Sequence, residues 1–138
     1  MIQSIEEITE TFSLLDDWKE RYRYIIELGK QLKPYPDHFR NDLYKVPGCI
    51  SQVWILSKRI DTENDPILTF QGDSDAHIVK GLVYIILSLF SGKRSSEILE
   101  MNAEEILKKV GLYEHLTRQR SNGLQSMIMR IRDTANQN

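Results

Sequence analysis

The sequence has one cysteine, no cysteine pair and no apolar run of membrane length, and these shortages exclude much of what a chain of 138 residues can be. Cys49 alone cannot close an intrachain disulfide, nor supply the thiolate set of a zinc ribbon or an iron-sulfur cluster. A chain without disulfides suits a reducing compartment, so the cytoplasm is the expected location. The longest apolar stretch, Ile78 to Phe90, spans 13 residues and contains Lys80, whereas a membrane span takes roughly 20 apolar residues. It is expected as a core helix, with no membrane partner. The opening residues, Met1-Ile2-Gln3-Ser4-Ile5-Glu6-Glu7, are acidic where a signal or transit peptide is basic, so no export is expected.

Charge of one sign is also missing. Eighteen Lys and Arg against 20 Asp and Glu leave a net charge of −2, which provides no overall basic field for a nucleic-acid backbone, and no nucleic-acid partner is expected. Internal repeats and low-complexity tracts are absent, which argues against a solenoid or a flexible array. The composition, 41% hydrophobic and 28% charged, is that of a globular chain. One domain spanning residues 1–138 is expected, able to bury about two-thirds of its unfolded surface without staples.

Motifs for metal and nucleophile chemistry are lacking too. His38, His77 and His115 fall into no H-E-x-x-H pattern, and neither C-x-x-C nor G-x-S-x-G occurs. The histidines are read as solvated, and neither a metal nor a cofactor is expected.

Cap signals and periodicity supply the elements. Ser4 with Glu7 is a capping-box pattern, followed by Ile5, Ile8, Phe12 and Leu15 at helical spacing. Asp17 with Glu20 opens a second helix reaching about Leu32, with Trp18, Tyr22, Ile25 and Leu32 on one stripe. Gly29 occupies a stripe position where a large side chain belongs, which predicts another backbone passing close by. Pro34 and Pro36 begin a connector to Lys45. Two β-rich runs, Ser51 to Arg59 and Ile67 to Gln71, form a hairpin about the polar turn Asp61 to Pro66, and Tyr44 to Val46 is the expected third strand. Gly72-Asp73-Ser74-Asp75 offers N-caps for a nearly all-apolar helix from Ala76 to Ser91. A short helix from Ser95 or Ser96 to Leu99 follows, then one from Asn102 to Gly111, and a closing helix from about Ser121 with Leu124, Met127, Ile128 and Ile131 as its stripe. The order indicates an α+β fold, a three-stranded antiparallel sheet packed with helices.

Cys49 lies where a Pro47-Gly48 break hands over to a strand. That position can present a thiol at a surface above rigid backbone. A lone free cysteine is also often a small buried hydrophobe. On residue type alone the two readings stay open.

The longer pattern separates them. The runs V-P-G-C-I-S-Q-V-W (Val46 to Trp54), Q-G-D-S-D-A-H-I-V-K-G-L (Gln71 to Leu82) and L-T-R-Q-R-S-N-G-L (Leu116 to Leu124), with W-K-E-R-Y-R-Y-I-I-E-L-G-K (Trp18 to Lys30) before them, resemble the SufE family of sulfur-acceptor proteins. The resemblance runs from about residue 4 to 135. It implies a fold shared with iron-sulfur scaffold proteins, although one cysteine is too few for scaffold function. It implies further that Cys49 takes sulfane sulfur from a pyridoxal-phosphate-dependent cysteine desulfurase, SufS- or CsdA-like, stimulates that enzyme, and relays the sulfur towards a downstream iron-sulfur scaffold. Such a carrier has no turnover of its own. The absence of a resolving cysteine fits a carrier, since a second thiol would discharge the persulfide as a disulfide. It argues equally against a thiol peroxidase, which would depend on an external thiol. Arg120, in the third family-like run, is the candidate for stabilising a thiolate or persulfide anion. Gln52 and Asp75 are weaker candidates for shaping the cysteine loop or its docking surface. A non-catalytic desulfurase-binding regulatory module is the alternative, and a homodimer is compatible with either reading.

Overall fold

Local capping determines where the helices begin. In the computed structural model, which describes residues 2–60 and 64–137, Ser4 accepts the Glu7 amide at the head of α1 (Ile5–Leu14). Asp17 accepts that of Glu20 at the head of α2 (Trp18–Lys30). Each cap satisfies one of the amides a helix start leaves unpaired. A 3-10 turn at Asp37–Phe39 interrupts the connector, and the chain then enters the hairpin β1 (Val53–Arg59) and β2 (Ile67–Ser74). After it come α3 (His77–Phe90), the two-residue β3 (Lys93–Arg94), α4 (Ser95–Glu100), α5 (Ala103–Val110), a 3-10 turn at Tyr113–His115, and α6 (Arg118–Asn136). Part of the expected hairpin turn, residues 61–63, lies outside the described residues.

α3 is the centre of the core. Eleven of its residues, among them Leu82, Tyr84, Ile85, Ile86 and Phe90, are buried, and burying each large apolar side chain contributes about 1.5–3 kcal/mol. α3 packs most heavily on α2 and β2, with α1 and α6 against its remaining faces. The approach of α2 is close. A Cβ on Gly29 would lie 2.7 Å from the Gly81 nitrogen, and one on Gly81 would lie 2.0 Å from the Ile25 carbonyl oxygen. The close backbone expected at Gly29 is therefore that of α3. Tyr84, fully buried, accepts the Gln3 amide through its hydroxyl at 2.8 Å.

The sheet is antiparallel in the order β1-β2-β3, with Val53 opposite Ser74 and Arg59 opposite Leu68. Its third strand is Lys93–Arg94, which pairs with Ile67 and Leu68, and the expected strand Tyr44 to Val46 reduces to one bridge, Lys45 to Trp54. Two backbone bonds accompany that bridge, Val46 N–H to the Val53 carbonyl at 2.8 Å and Ile55 N–H to the Tyr44 carbonyl at 3.0 Å. The Lys45 carbonyl accepts from Arg130 of α6 instead, and Pro47, two residues on, has no amide with which to extend a ladder.

Two more boundaries differ from expectation. β2 continues through Gly72, Asp73 and Ser74, so these residues are strand, and the Ala76 N-cap of α3 has no side-chain cap bond. α6 starts at Arg118 with Thr117 accepting the Arg120 amide, three residues ahead of the expected Ser121. Its first turn, Arg118-Gln119-Arg120, is polar throughout, so the apolar stripe becomes visible only from Leu124.

Candidate functional site

The loop that carries the cysteine is pinned at both ends. On one side the Val46–Val53 bond closes it against β1. On the other, Asp75 accepts the Gln52 amide at 3.0 Å and its side-chain amide at 3.3 Å, while Ser74 donates to the Gln52 carbonyl at 2.6 Å. Asp75 and Gln52 thus join the loop to the end of β2, where the sequence had suggested a shaping role. Gly48, with φ +88°, turns the chain through the left-handed region, and a Cβ there would lie 2.5 Å from Ser126 Oγ. The positive φ favours glycine there, whereas the Ser126 hydroxyl could turn aside.

The turn delivers Cys49 to the flank of α6. Its partly buried thiol donates to the Gly123 carbonyl at 3.5 Å. This meeting lies past the first turn of α6, so the sulfur faces a carbonyl instead of the free amides at the helix start, where the favourable field for an anion is concentrated. Burial pushes the Cys49 thiol up from its ordinary value. The same burial disfavours the thiolate relative to the thiol.

Beside the sulfur is a cavity of about 230 Å³, lined on its apolar side by Val79, Leu82 and Met127 and on its polar side by Thr117, Gln119 and Arg120. The structure thus brings Cys49 and Arg120 to one cavity. Arg120 Nη1 donates to the Tyr22 hydroxyl at 2.8 Å.

Several contributors were given no role from the sequence. Tyr22 was read as a core-facing stripe residue. The Gly123 carbonyl is a backbone group, which side-chain reasoning does not find. Arg40 lies 5.4 and 5.6 Å from the ring centroids of Tyr35 and Trp54 and pairs with the buried Asp73, which also faces Lys80. That clamp fastens the connector to β2 across 33 residues. His115 is not solvated as expected: it is partly buried, with Nε2 3.1 Å from Arg21 Nη1. Among the described residues no group of three or more metal-ligating side chains gathers, and no helix is long and apolar enough to cross a membrane.

The chain is an α+β protein that sets one half-shielded thiol on a pinned loop beside a small cavity. Comparison with known proteins narrows the class. The SufE model, described as an Fe-S metabolism associated domain, matches residues 6–135, and the chain belongs to the SufE family. An uncharacterized SufE-like protein of Rhizobium meliloti is 53% identical over 132 residues, 96% of this chain and 94% of that protein. A second, from Rhizobium etli, is 52% identical over 132 residues, covering 96% of this chain and 89% of the relative. A solution structure of a hypothetical protein from Thermus thermophilus superposes with a TM-score of 0.74 at 19% identity, covering 99% of this chain and 97% of that one. At that identity the likeness speaks for the fold alone. Membership of the family connects the chain with iron-sulfur metabolism, sulfur transfer and interaction with cysteine desulfurases.

Proposed function

We propose that this chain, acting as one domain over residues 1–138, is a sulfur acceptor whose Cys49 takes sulfane sulfur from a cysteine desulfurase and passes it towards iron-sulfur cluster assembly. The observation that carries the reading is the chain's lone cysteine at the edge of a cavity that also holds Arg120. In the transfer, Cys49 gives up its proton and its thiolate attacks the outer sulfur of the donor persulfide. A new S–S bond forms on Cys49, the donor's S–S bond breaks, and the donor cysteine leaves as a thiolate that takes up a proton. No net oxidation occurs, so no oxidant is called for.

Burial and the Gly123 carbonyl both favour the protonated thiol, so the free protein is expected to be a poor nucleophile. Docking on the desulfurase changes the solvation of the loop. Arg120, the cation in the lining of the Cys49 cavity, then supplies positive charge, most useful while negative charge develops on sulfur.

Intact-mass measurement after mixing with a desulfurase and free cysteine tests the reading. Gains of about 32 Da per sulfur, removed by a thiol reductant, are expected on the parent protein. None is expected on Cys49→Ser, which should still bind the desulfurase. Arg120→Ala should lose transfer rate more than binding, with Arg120→Lys in between. A parent that stays unmodified beside a demonstrably persulfurated desulfurase overturns the proposal. Full stimulation of the desulfurase by Cys49→Ser would favour the regulatory-module reading.

A further inference from the structure

Arginines in this fold are anchored in two chemically different ways. Arg40 is set against Asp37 and Asp73, and Arg132 against Glu104 at 2.8 Å. Each of these guanidiniums has its charge balanced by a carboxylate. Arg120 is anchored by Tyr22, whose hydroxyl accepts from Nη1 at 2.8 Å while the Arg120 Cζ lies 5.7 Å from the ring centroid. A neutral acceptor orients a guanidinium without cancelling its charge, and one such bond leaves the other N–H donors of the fork available.

Tyr22 is itself held in place. Trp18 stands edge-on to it at 6.3 Å and 85°. The helix that bears it is fixed at its head by the Asp17 cap and near its tail by the close crossing at Gly29 and Gly81. The contact joins positions 98 residues apart, connecting a rigid part of α2 to the first turn of α6 at the cavity of Cys49. A long arginine side chain loses much rotamer freedom when ordered. An anchor that imposes this order beforehand lowers what the transition state must still arrange.

We propose that Tyr22 is a positioning residue of the sulfur-transfer site, its hydroxyl holding the Arg120 guanidinium at the wall of the Cys49 cavity with the charge left free for an anion on sulfur. The inference rests on the sulfur-acceptor reading for its purpose, but its geometry can be probed without a desulfurase. Tyr22 touches no reacting atom and acts through Arg120.

The test uses the full chain and Tyr22→Phe, which keeps the ring and removes the hydroxyl. In the free protein, Cys49 is alkylated with anionic iodoacetate and with neutral iodoacetamide, and the ratio of the two rates is taken. A cation held beside the thiol raises that ratio. Tyr22→Phe and Arg120→Ala should each lower it about threefold or more, and the double variant should fall no further than Arg120→Ala alone. With a saturating desulfurase, single-turnover transfer to Tyr22→Phe should be about three- to tenfold slower while binding stays within about twofold. A ratio unchanged in Tyr22→Phe overturns the positioning role. So does faster transfer, which would mean that the hydroxyl holds Arg120 away from the reaction, and so does a Tyr22→Phe loss that persists in full when Arg120 is already alanine. Should the parent take no sulfur while the alkylation ratio still falls as expected, the positioning of Arg120 stands and the sulfur-acceptor reading is the one that fails.

Discussion

At the crossing of α2 and α3, a Cβ on Gly81 would lie 2.0 Å from a backbone carbonyl oxygen, whereas a Cβ on Gly123 would lie 3.5 Å from the sulfur of Cys49. Both glycines are buried in helices that meet another part of the chain. At Gly81 the neighbour is backbone that cannot retreat. At Gly123 a methyl group would make an ordinary van der Waals contact, so the fold does not forbid it. Glycine inside a helix costs about 1 kcal/mol relative to alanine. At the crossing that cost is offset by the packing of α2 on α3, while beside the thiol it leaves room for a methyl group at contact distance from the sulfur. The first glycine serves the framework and the second serves the cysteine.

The comparison is tested most severely at the framework. Gly81→Ala should destabilise by at least about 3 kcal/mol, because something must shift to admit the methyl group. Thermal melting should fall by about 10 °C, while the molecules that remain folded alkylate at Cys49 as before. A melting temperature close to the parent's would show that the crossing can relax, and the contrast would be lost.

Gly123→Ala should behave in the opposite way. Stability is expected to stay within about 1 kcal/mol of the parent, since improved helix propensity offsets any crowding. Alkylation of Cys49 should slow about fivefold as the methyl group takes up the approach to sulfur. Denaturant midpoints and thiol kinetics measured on the same preparation decide this, and a large loss of stability with unchanged kinetics would reverse the roles assigned to the two glycines.

The smallest effect is expected at the interface of α5 and α6, which keeps the body of α6 in place without touching the thiol. The Arg132 guanidinium holds the Glu104 carboxyl at about 2, well below its ordinary 4.5, with Gln125 assisting. The folded value is the depressed one, so the stabilisation is complete above about 4.5 and is lost as pH falls from there towards 2. With the Glu104 side chain 38% exposed, solvent screening limits the contribution to about 1 kcal/mol or less. Glu104→Gln should lower the denaturant midpoint slightly at pH 7, with the gap closing by about pH 2.5. Cys49 alkylation at pH 7 should not change. If it does, the two ends of α6 are not independent.

What could be read in advance follows from the range of the signals. Capping residues act within one turn, so Ser4, Asp17 and Asn102 marked helix starts that the structure retains. Gly29 was legible because its absent side chain interrupts an otherwise apolar stripe. The pairing of Lys93–Arg94 with Ile67 and Leu68, the Arg40–Asp73 clamp and the Tyr22–Arg120 contact each span tens of residues, and no local pattern records them. Thr117 was overlooked for a different reason. Its helix opens with three polar residues, and periodicity has nothing to register there. At the site, Cys49 and Arg120 were singled out, whereas Gly123 and Tyr22 lie within family-like runs, yet nothing in those runs says that a carbonyl faces the sulfur or a hydroxyl the guanidinium.

The short bond between Val46 and Val53 has a consequence for time as well as for shape. It closes the loop from Pro47 to Gln52 at the head of β1, so the loop can open without breaking any rung between β1 and β2. Amide hydrogen exchange should therefore divide sharply at this point, rapid for Gly48 to Ser51 and slow for Val46 and Ile55, whose amides are tied to neighbouring backbone. Openings of such a loop belong to the nanosecond-to-microsecond range. Each opening gives up the Cys49–Gly123 bond, so exposure of the cysteine and release of its sulfur from α6 are one event.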